Sequence, residues 1–282
     1  MPRQRLGQNF LTDRSVAGRI IRAAKIGPES AVLEVGPGKG ALTHQLAATA
    51  KTLTVVEFDP ELAESLRQRY GERDDVAVVE ADARTVDPES LPVVGDGAYT
   101  LVANLPYYAA TPIIRNFLES SHPPERLVVM VQREVAREME AEPGDMGVLS
   151  IAVQVYSTVR TLFQVPPEAF TPRPRVTSAV VELIPLTDPV VSDEDSEPFF
   201  TVVRAGFKAP RKQLHNSLAT GLNVDSQTAR RLLDDAEIDS SRRPATLSIA
   251  EWVALMKSWI AAGRPFITHG TSRRARAAAL KG

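Results

Sequence analysis

Between Ser30 and Gln132 the chain alternates short apolar runs with amphipathic stretches, and this alternation restricts the fold more than any other feature. The apolar runs are AVLEV (31–35), TLTVVE (52–57), VAVVEA (76–81), YTLVANL (99–105) and LVVMVQ (127–132). Near-continuous apolarity over five to seven residues describes strands buried on both faces. The intervening stretches predict helices near 40–48, 60–70, 111–119 and 132–141. Strand and helix in strict alternation imply a parallel sheet with crossover helices, an α/β fold. Two further β-rich runs, VRTLFQV (159–165) and VTSAVVELIP (176–185), are joined by a Pro-rich loop too short for a crossover. They are expected to pair antiparallel at one edge, completing seven strands.

Beyond the last strand the pattern changes. LTDPVVSDEDSEP (186–198) combines five acids with two prolines and has no strand or helix period, so it is expected to be an exposed acidic linker. FFTVVRAGF, KQLHNSLATGL, SQTARRLLDDAEI and TLSIAEWVALMKSWIAAG then carry apolar residues at three-to-four spacing. They predict a small all-helical domain over 199–263, followed by a basic tail, 264–282, read as partly disordered. The expected division is therefore a sheet domain at 1–185 with a basic N-terminal arm, the linker, the helical domain and the tail.

Composition excludes several classes of chemistry. The 282 residues contain no cysteine, which removes disulfides, thiolate zinc sites, iron–sulfur clusters and cysteine nucleophiles. No window reaches the roughly 18 apolar residues of a membrane span, and the basic start MPRQRLGQNF has no apolar core behind it. A cytoplasmic protein is expected. The net charge of −2 hides a strong segregation: residues 57–96 hold twelve acids against four bases, whereas residues 1–25 hold six bases against one acid. Arg204, Lys208, Arg211 and Lys212 lie in an acid-free stretch from Phe199 to Val224. Local rather than net positive charge is what a polyanion needs, so one anion-facing surface is expected.

Glu34-Val35-Gly36-Pro37-Gly38-Lys39-Gly40 follows the first strand and opens a helix. Glycines there let a ligand approach the backbone and its free amides. With Ala41 in place of a last glycine the string also fits a dinucleotide fingerprint, so the turn alone does not separate a nicotinamide enzyme from a methyltransferase. Glu57 ends the second strand, 21 residues after Gly36, where a carboxylate accepts both hydroxyls of a ribose. Asp82, followed by Ala83, ends the third, where it accepts from the exocyclic amine of an adenine. Together they describe a pocket for an adenosine-containing ligand.

The fourth strand closes on Asn104-Leu105-Pro106-Tyr107-Tyr108. An amide oxygen, a carbonyl ahead of a proline and an aromatic ring converge at the expected switch point of the sheet. The amine of a purine is a poor nucleophile because its lone pair is delocalised into the ring. Two acceptors holding both its hydrogens favour the pyramidal, nucleophilic form, while an aromatic face holds the base by stacking. No strong general base is needed, since the proton leaves after transfer has made the nitrogen cationic. The base must be flipped out or taken from an unpaired stretch.

These segments together resemble the KsgA/RsmA-type ribosomal RNA adenine dimethyltransferases, a family with a Rossmann-like, class I methyltransferase fold. The resemblance runs from GQNFL (7–11) through EVGPGKGALT (34–43), VVEFDPEL (55–62), EADA (80–83), NLPYYAATPI (104–113), GVLSIAVQ (147–154) and FTPRPRVTSAVVEL (170–183) to RKQLHNSL (211–218). It implies S-adenosylmethionine as methyl donor, no metal, and contacts to that donor from Asn9, Leu11, Gly36, Gly38, Glu57, Asp82, Ala83 and Asn104. It implies that Asn104, Leu105 and Pro106 orient the target amine, with Tyr107 stacking on one face of the adenine and Phe170 covering the other. RNA contacts are implied for Arg3, Arg5 and Gln8 on the N-terminal arm, for Arg173 and Arg175, and for Lys208, Arg211 and Lys212. One departure is visible: the family's Arg-Arg-Lys run is replaced here by Lys208-Ala209-Pro210-Arg211-Lys212, where the proline is expected to start the next helix.

The implied function is N6,N6-dimethylation of two adjacent adenines in the 3′-terminal hairpin loop of 16S rRNA, by a monomer acting on the immature small subunit. Three alternatives stay open at this point. They are a large-subunit (23S) rRNA adenine dimethyltransferase of the macrolide-resistance type, a non-catalytic ribosome assembly factor, and a nicotinamide oxidoreductase, the last resting on the glycine fingerprint alone.

Overall fold

The structure, a computed structural model, describes residues 9–95, 97–106 and 109–265, apart from the side chain of Asp193. Arg3, Arg5, Gln8, Tyr107 and the tail from residue 266 therefore lie outside the described residues. Two compact units emerge, one built from residues 9–140 and 153–189 and the other from residues 141–152 and 190–265.

The first unit is organised on a seven-stranded sheet. Its strands are β2 (Ala31–Val35), β3 (Thr52–Glu57), β4 (Val76–Glu80), β5 (Tyr99–Asn104), β6 (Arg126–Gln132), β7 (Ser157–Val165) and β9 (Ser178–Pro185), in the order β4-β3-β2-β5-β6-β9-β7. The first five are parallel, and β9 runs antiparallel to both β6 and β7. Two short strands, β1 (Phe10–Leu11) and β8 (Phe170–Thr171), pair separately, Leu11 opposite Phe170. Chain order reverses between β2 and β5, because β3 and β4 are laid to one side before β5 returns to the other. That reversal leaves a crevice at the strands' carboxyl ends, where open α/β sheets bind ligands.

The crossover helices follow the predicted positions: α2 (Thr43–Thr49), α3 (Pro60–Tyr70), α5 (Ala110–Leu118) and α6 (Arg133–Met139), with a short α4 (Pro92–Gly95) between β4 and β5. α1 (Arg14–Ala23), which periodicity had not marked, starts where Asp13 accepts from the Ser15 and Val16 amides. Asp59 caps α3 in the same way, with Pro60 at the first helical position. One core layer joins Val16, Ile20, Leu46 and Leu66 on the helices to Val32, Val55 and Val102 on the strands, all nearly or fully buried.

The second unit is built from α8 (Asp193–Gly206), α9 (Leu214–Gly221), α10 (Ser226–Asp235) and α11 (Ile249–Ala261), and α7 (Val148–Gln154) begins within it. The segment 186–198 is not wholly a linker, because Ser192 caps α8 through the Asp195 amide and the acids after it form the first turn, where the helix dipole favours them. Pro198 is the sixth residue of α8, inside the helix, where it removes the bond an amide would make to the Glu194 carbonyl. Residues 141–152, placed by sequence in the sheet domain, belong to the helical unit: the Gly144 and Met146 amides both donate to the Ala245 carbonyl. Pro210 does not start a helix. It occupies the second position of a turn closed by the Lys212 amide on the Ala209 carbonyl, which its fixed φ suits, and α9 begins at Leu214.

Candidate active site

The crevice at the switch point is lined by Asn9, Phe10, Leu11, Glu34, Gly36, Gly38, Lys39, Leu42, Glu57, Asn104, Leu105 and Pro106, and opens to solvent around a cavity of about 80 Å³. Val35 pairs with Val56 on one side and Ala103 on the other, so the glycine turn, Glu57 and Asn104 leave the sheet side by side. Gly36 takes φ +66°, open to glycine at little cost, and turns the chain beside the Asn104 carbonyl while its amide donates to the Val56 carbonyl at 3.0 Å. Gly38, at φ +57°, lies flat against the Phe10 ring, whose Cδ1 stands 3.0 Å from where a Cβ would be. The Lys39 ammonium lies 4.8 Å from the centre of that ring.

Glu57 is buried, and both its oxygens are anchored: Oε2 accepts from the Gly38 amide at 3.1 Å and Oε1 from the Asp59 amide at 2.9 Å. Each oxygen keeps a further lone pair, so the carboxylate is a fixed acceptor pair at the strand end. Asp82 borders an adjoining pocket with Val56, Phe58, Ala83, Arg84 and Ile113. Its carboxylate accepts from the Arg84 side chain, Nη2 at 2.5 Å and Nε at 2.9 Å, and from the Arg84 amide; these bonds hold it below the usual carboxylate range. Asn116 on α5 fixes the loop behind it by donating to the Ala83 and Val86 carbonyls.

Asn9, Leu11, Gly36, Gly38, Glu57, Asn104, Leu105 and Pro106 are thus brought together, with Asp82 and Ala83 next door. Phe170 is not. It is 4% exposed, packed in the core with Leu11, Val165 and Ala169, because β8 pairs with β1 and turns the ring inward. Arg175 is exposed, and Arg173 is exposed and paired with Glu168. Lys208, Arg211 and Lys212 are exposed on the helical unit.

Sequence reasoning gave no role to Phe58, Arg84 or Glu34. Phe58 is 66% exposed in a chain that buries nearly all its large apolar side chains, and it stands beside Asp82 as a ready platform for a planar ring. Its position directly after the strand-end acid was the available signal. Glu34 is the single charge inside AVLEV and is 1% exposed. Its Oε2 and the neighbouring Thr43 hydroxyl are buried without hydrogen-bond partners among the described residues. Burial is the largest influence and raises the Glu34 carboxyl from about 4.5 to about 8; the Thr43 hydroxyl, next in size, and the Thr43 amide pull the other way, while the nearby Glu57 carboxylate adds to the rise.

That shift has a consequence for the empty protein. Glu34 holds its proton to about pH 8 in the fold but loses it near 4.5 when unfolded, so folding takes up a proton across that window. Its contribution to stability therefore falls as pH rises from about 4.5 to about 8, by about 1.4 kcal/mol per pH unit at most, and is level outside the window. Glu34→Gln, which cannot ionise, is expected to melt progressively higher relative to the parent between pH 5 and pH 8. Parallel melting curves for the two proteins across that range would refute the assignment.

Among the described residues no helix is long and apolar enough to cross a membrane, and no group of three or more potential ligands could hold a metal ion. The family described as ribosomal RNA adenine dimethylase matches residues 2–255. A protein of Moorella thermoacetica named ribosomal RNA small subunit methyltransferase A is 42% identical over 267 residues, 92% of each chain. One of the same name from Dehalococcoides mccartyi strain CBDB1 is 39% identical over 93% of this chain and 89% of its own. Among solved structures, a dimethyladenosine transferase from Plasmodium falciparum superposes with a TM-score of 0.75 at 25% identity, over 90% of this chain and 98% of that one. The 23S rRNA methyltransferase ErmE gives 0.65 at 28% identity, over 89% and 99%. A seven-stranded Rossmann-like sheet with this crevice, matched along nearly its whole length, makes the chain an enzyme of methyl transfer that belongs to the ribosomal RNA adenine dimethylase family.

Proposed function

We propose that this chain uses S-adenosylmethionine to place two methyl groups on each of two adjacent adenines in the 3′-terminal hairpin loop of 16S rRNA, acting as a cytoplasmic monomer on the immature small subunit. The carrying observation is the meeting of Asn104, Leu105 and Pro106 with Glu57 and the glycine turn in one crevice. The crevice fits the donor: the glycine turn brings its backbone to the crevice wall beside Glu57 and Asn104, and Glu34 offers a buried oxygen that lacks a partner. Bound there, the donor supplies an electrophilic methyl group.

The chain's own residues do the rest. Glu57 accepts the ribose hydroxyls, Asp82 the adenine amine of the donor, and Phe58 covers that ring. Asn9, Leu11 and Ala83 border the same path. The Asn104 side-chain oxygen and the Leu105 carbonyl, freed from helical bonding by Pro106, hold both hydrogens of the target amine and aim its lone pair into the crevice. Tyr107 stacks on the target base. Arg3, Arg5, Gln8, Arg173 and Arg175 on the sheet domain, and Lys208, Arg211 and Lys212 on the helical one, contact RNA phosphates, with binding that weakens as salt rises.

The small-subunit reading is preferred to the large-subunit one because relatives named for the small subunit are 38–42% identical, against 28% for ErmE. The test is to incubate the protein with labelled S-adenosylmethionine and, separately, unmethylated small subunits, large subunits and protein-free 23S rRNA, then digest the RNA. Dimethyladenosine from small subunits alone is expected. Label confined to 23S rRNA would move the protein to the resistance branch, and binding of S-adenosylmethionine without label anywhere would favour an assembly factor.

A further inference from the structure

Glu34 is a fully enclosed carboxyl with no counter-charge on its own strand or on those beside it, where it stands opposite Val55 and Val102. Among the described residues the charged side chains bordering the same crevice are Glu57, which repels a second negative charge, and Lys39, whose ammonium is 4.8 Å from the centre of the Phe10 ring. Thr43, at the start of α2, presents a hydroxyl and an amide that favour the ionised form, though less than burial disfavours it. An ionised Glu34 in the empty crevice would thus be a buried charge with one oxygen unbonded, which is costly, and the neutral acid avoids that cost.

A cation entering the crevice changes the balance, because it faces Glu34 across a low-dielectric space that water has left. We propose that Glu34 is the proton-linked positioning residue of the crevice: it stands as the neutral acid when the crevice is empty and surrenders its proton to solvent when the positively charged methyl donor is seated. The step breaks only the carboxyl O–H bond, and it leaves a carboxylate facing the ligand's positive charge. It rests on the donor being S-adenosylmethionine, which carries a sulfonium and an amine. It makes the affinity for the donor rise with pH up to about 8, where the upward displacement of Glu34 by burial and by Glu57 ends. It also favours the charged methyl donor over the spent, uncharged thioether.

The test is calorimetric titration of the whole protein with S-adenosylmethionine at pH 7 in buffers of different ionisation enthalpy, beside Glu34→Gln. The ligand's own amine titrates near 7.7–8.0, so the difference between the two proteins is the informative quantity. The parent is expected to release close to one proton more than Glu34→Gln at pH 7, the difference vanishing by about pH 9. Equal proton release by the two proteins at pH 7, with both binding the donor, overturns the proposal while leaving the donor's identity intact. Failure of the parent to bind S-adenosylmethionine overturns both.

A second measurement needs no variant. Infrared difference spectra of the parent should lose a protonated-carboxyl stretch when S-adenosylmethionine is added at pH 7, and an unchanged stretch in a protein that has bound the ligand refutes the proton transfer. A purely structural Glu34 would alter stability in the variant but would move neither the proton count nor this band.

Discussion

Asn104→Ala is expected to lose methyl transfer by about 10²- to 10³-fold in kcat while holding RNA almost as well as the parent. The amide stands at the carboxyl end of β5, where the strand order reverses beside β2, and there it shares a crevice with the glycine turn and Glu57. Removing its oxygen leaves the Leu105 carbonyl to hold one amine hydrogen, and the lone pair relaxes back into the ring. Each tenfold corresponds to about 1.4 kcal/mol of barrier, so the predicted loss is the worth of one or two well-placed hydrogen bonds that matter only as the nitrogen becomes nucleophilic. On the proposed reading RNA affinity rests on phosphate contacts that do not use that amide, so it is expected to hold. Single-turnover methylation with saturating RNA, next to a filter-binding isotherm, separates the two quantities. Parent-like turnover would remove Asn104 from the mechanism, and an equal loss in both would make it a residue of folding.

The parallel strands were legible because burial on both faces leaves only apolar residues to read, and AVLEV and TLTVVE matched β2 and β3 to the residue. The same uniformity made Glu34 stand out, yet its meaning was invisible. Sequence does not show that Val55 and Val102 flank it or that the Glu57 carboxylate is near enough to repel its charge. The site residues read from strand ends were legible because strand order follows from alternation, and with it the switch point. Phe170 failed for the converse reason: its position depends on the pairing of two-residue strands 160 residues apart, which no local pattern encodes. The start of α8 was missed because acids that look like linker are equally the preferred first turn of a helix once Ser192 is recognised as its cap. Arg84 on Asp82 arises two residues away, but its bidentate grip depends on a turn geometry that composition does not fix.

Gly221→Ala is expected to destabilise the helical unit by about 3 kcal/mol or more, the upper end of overpacking costs. In sequence this glycine closes an apolar helical stretch and has the look of a terminator, but the left-handed residue after α9 is Asn223, at φ 52°. Gly221 serves packing instead. A methyl group there would stand 2.7 Å from the Ala205 carbonyl carbon and nearer still to its Cα, so α8 and α9 touch backbone to backbone at this point. Flexible side chains absorb such a clash by changing rotamer, whereas the backbone of the last turn of α8 does so only by shifting or unwinding that end of the helix. Displacing α8 disturbs Gly206, against which the ring of Trp252 on α11 is seated with no room for a Cβ, and Phe207, stacked on that ring at 5.6 Å. One methyl group thus propagates through three of the four main helices, which is why the cost stands at the top of the range. Gly27→Ala is the control, since nothing lies within 4 Å of the added carbon. Urea unfolding followed by tryptophan fluorescence reports on the helical unit, because both tryptophans, Trp252 and Trp259, are on α11, and far-UV circular dichroism recorded beside it reports on both units, that of Gly27 included. A lowered midpoint is expected for Gly221→Ala and an unchanged one for Gly27→Ala, and coincident curves for all three proteins would show that α8 and α9 do not pack this closely in solution.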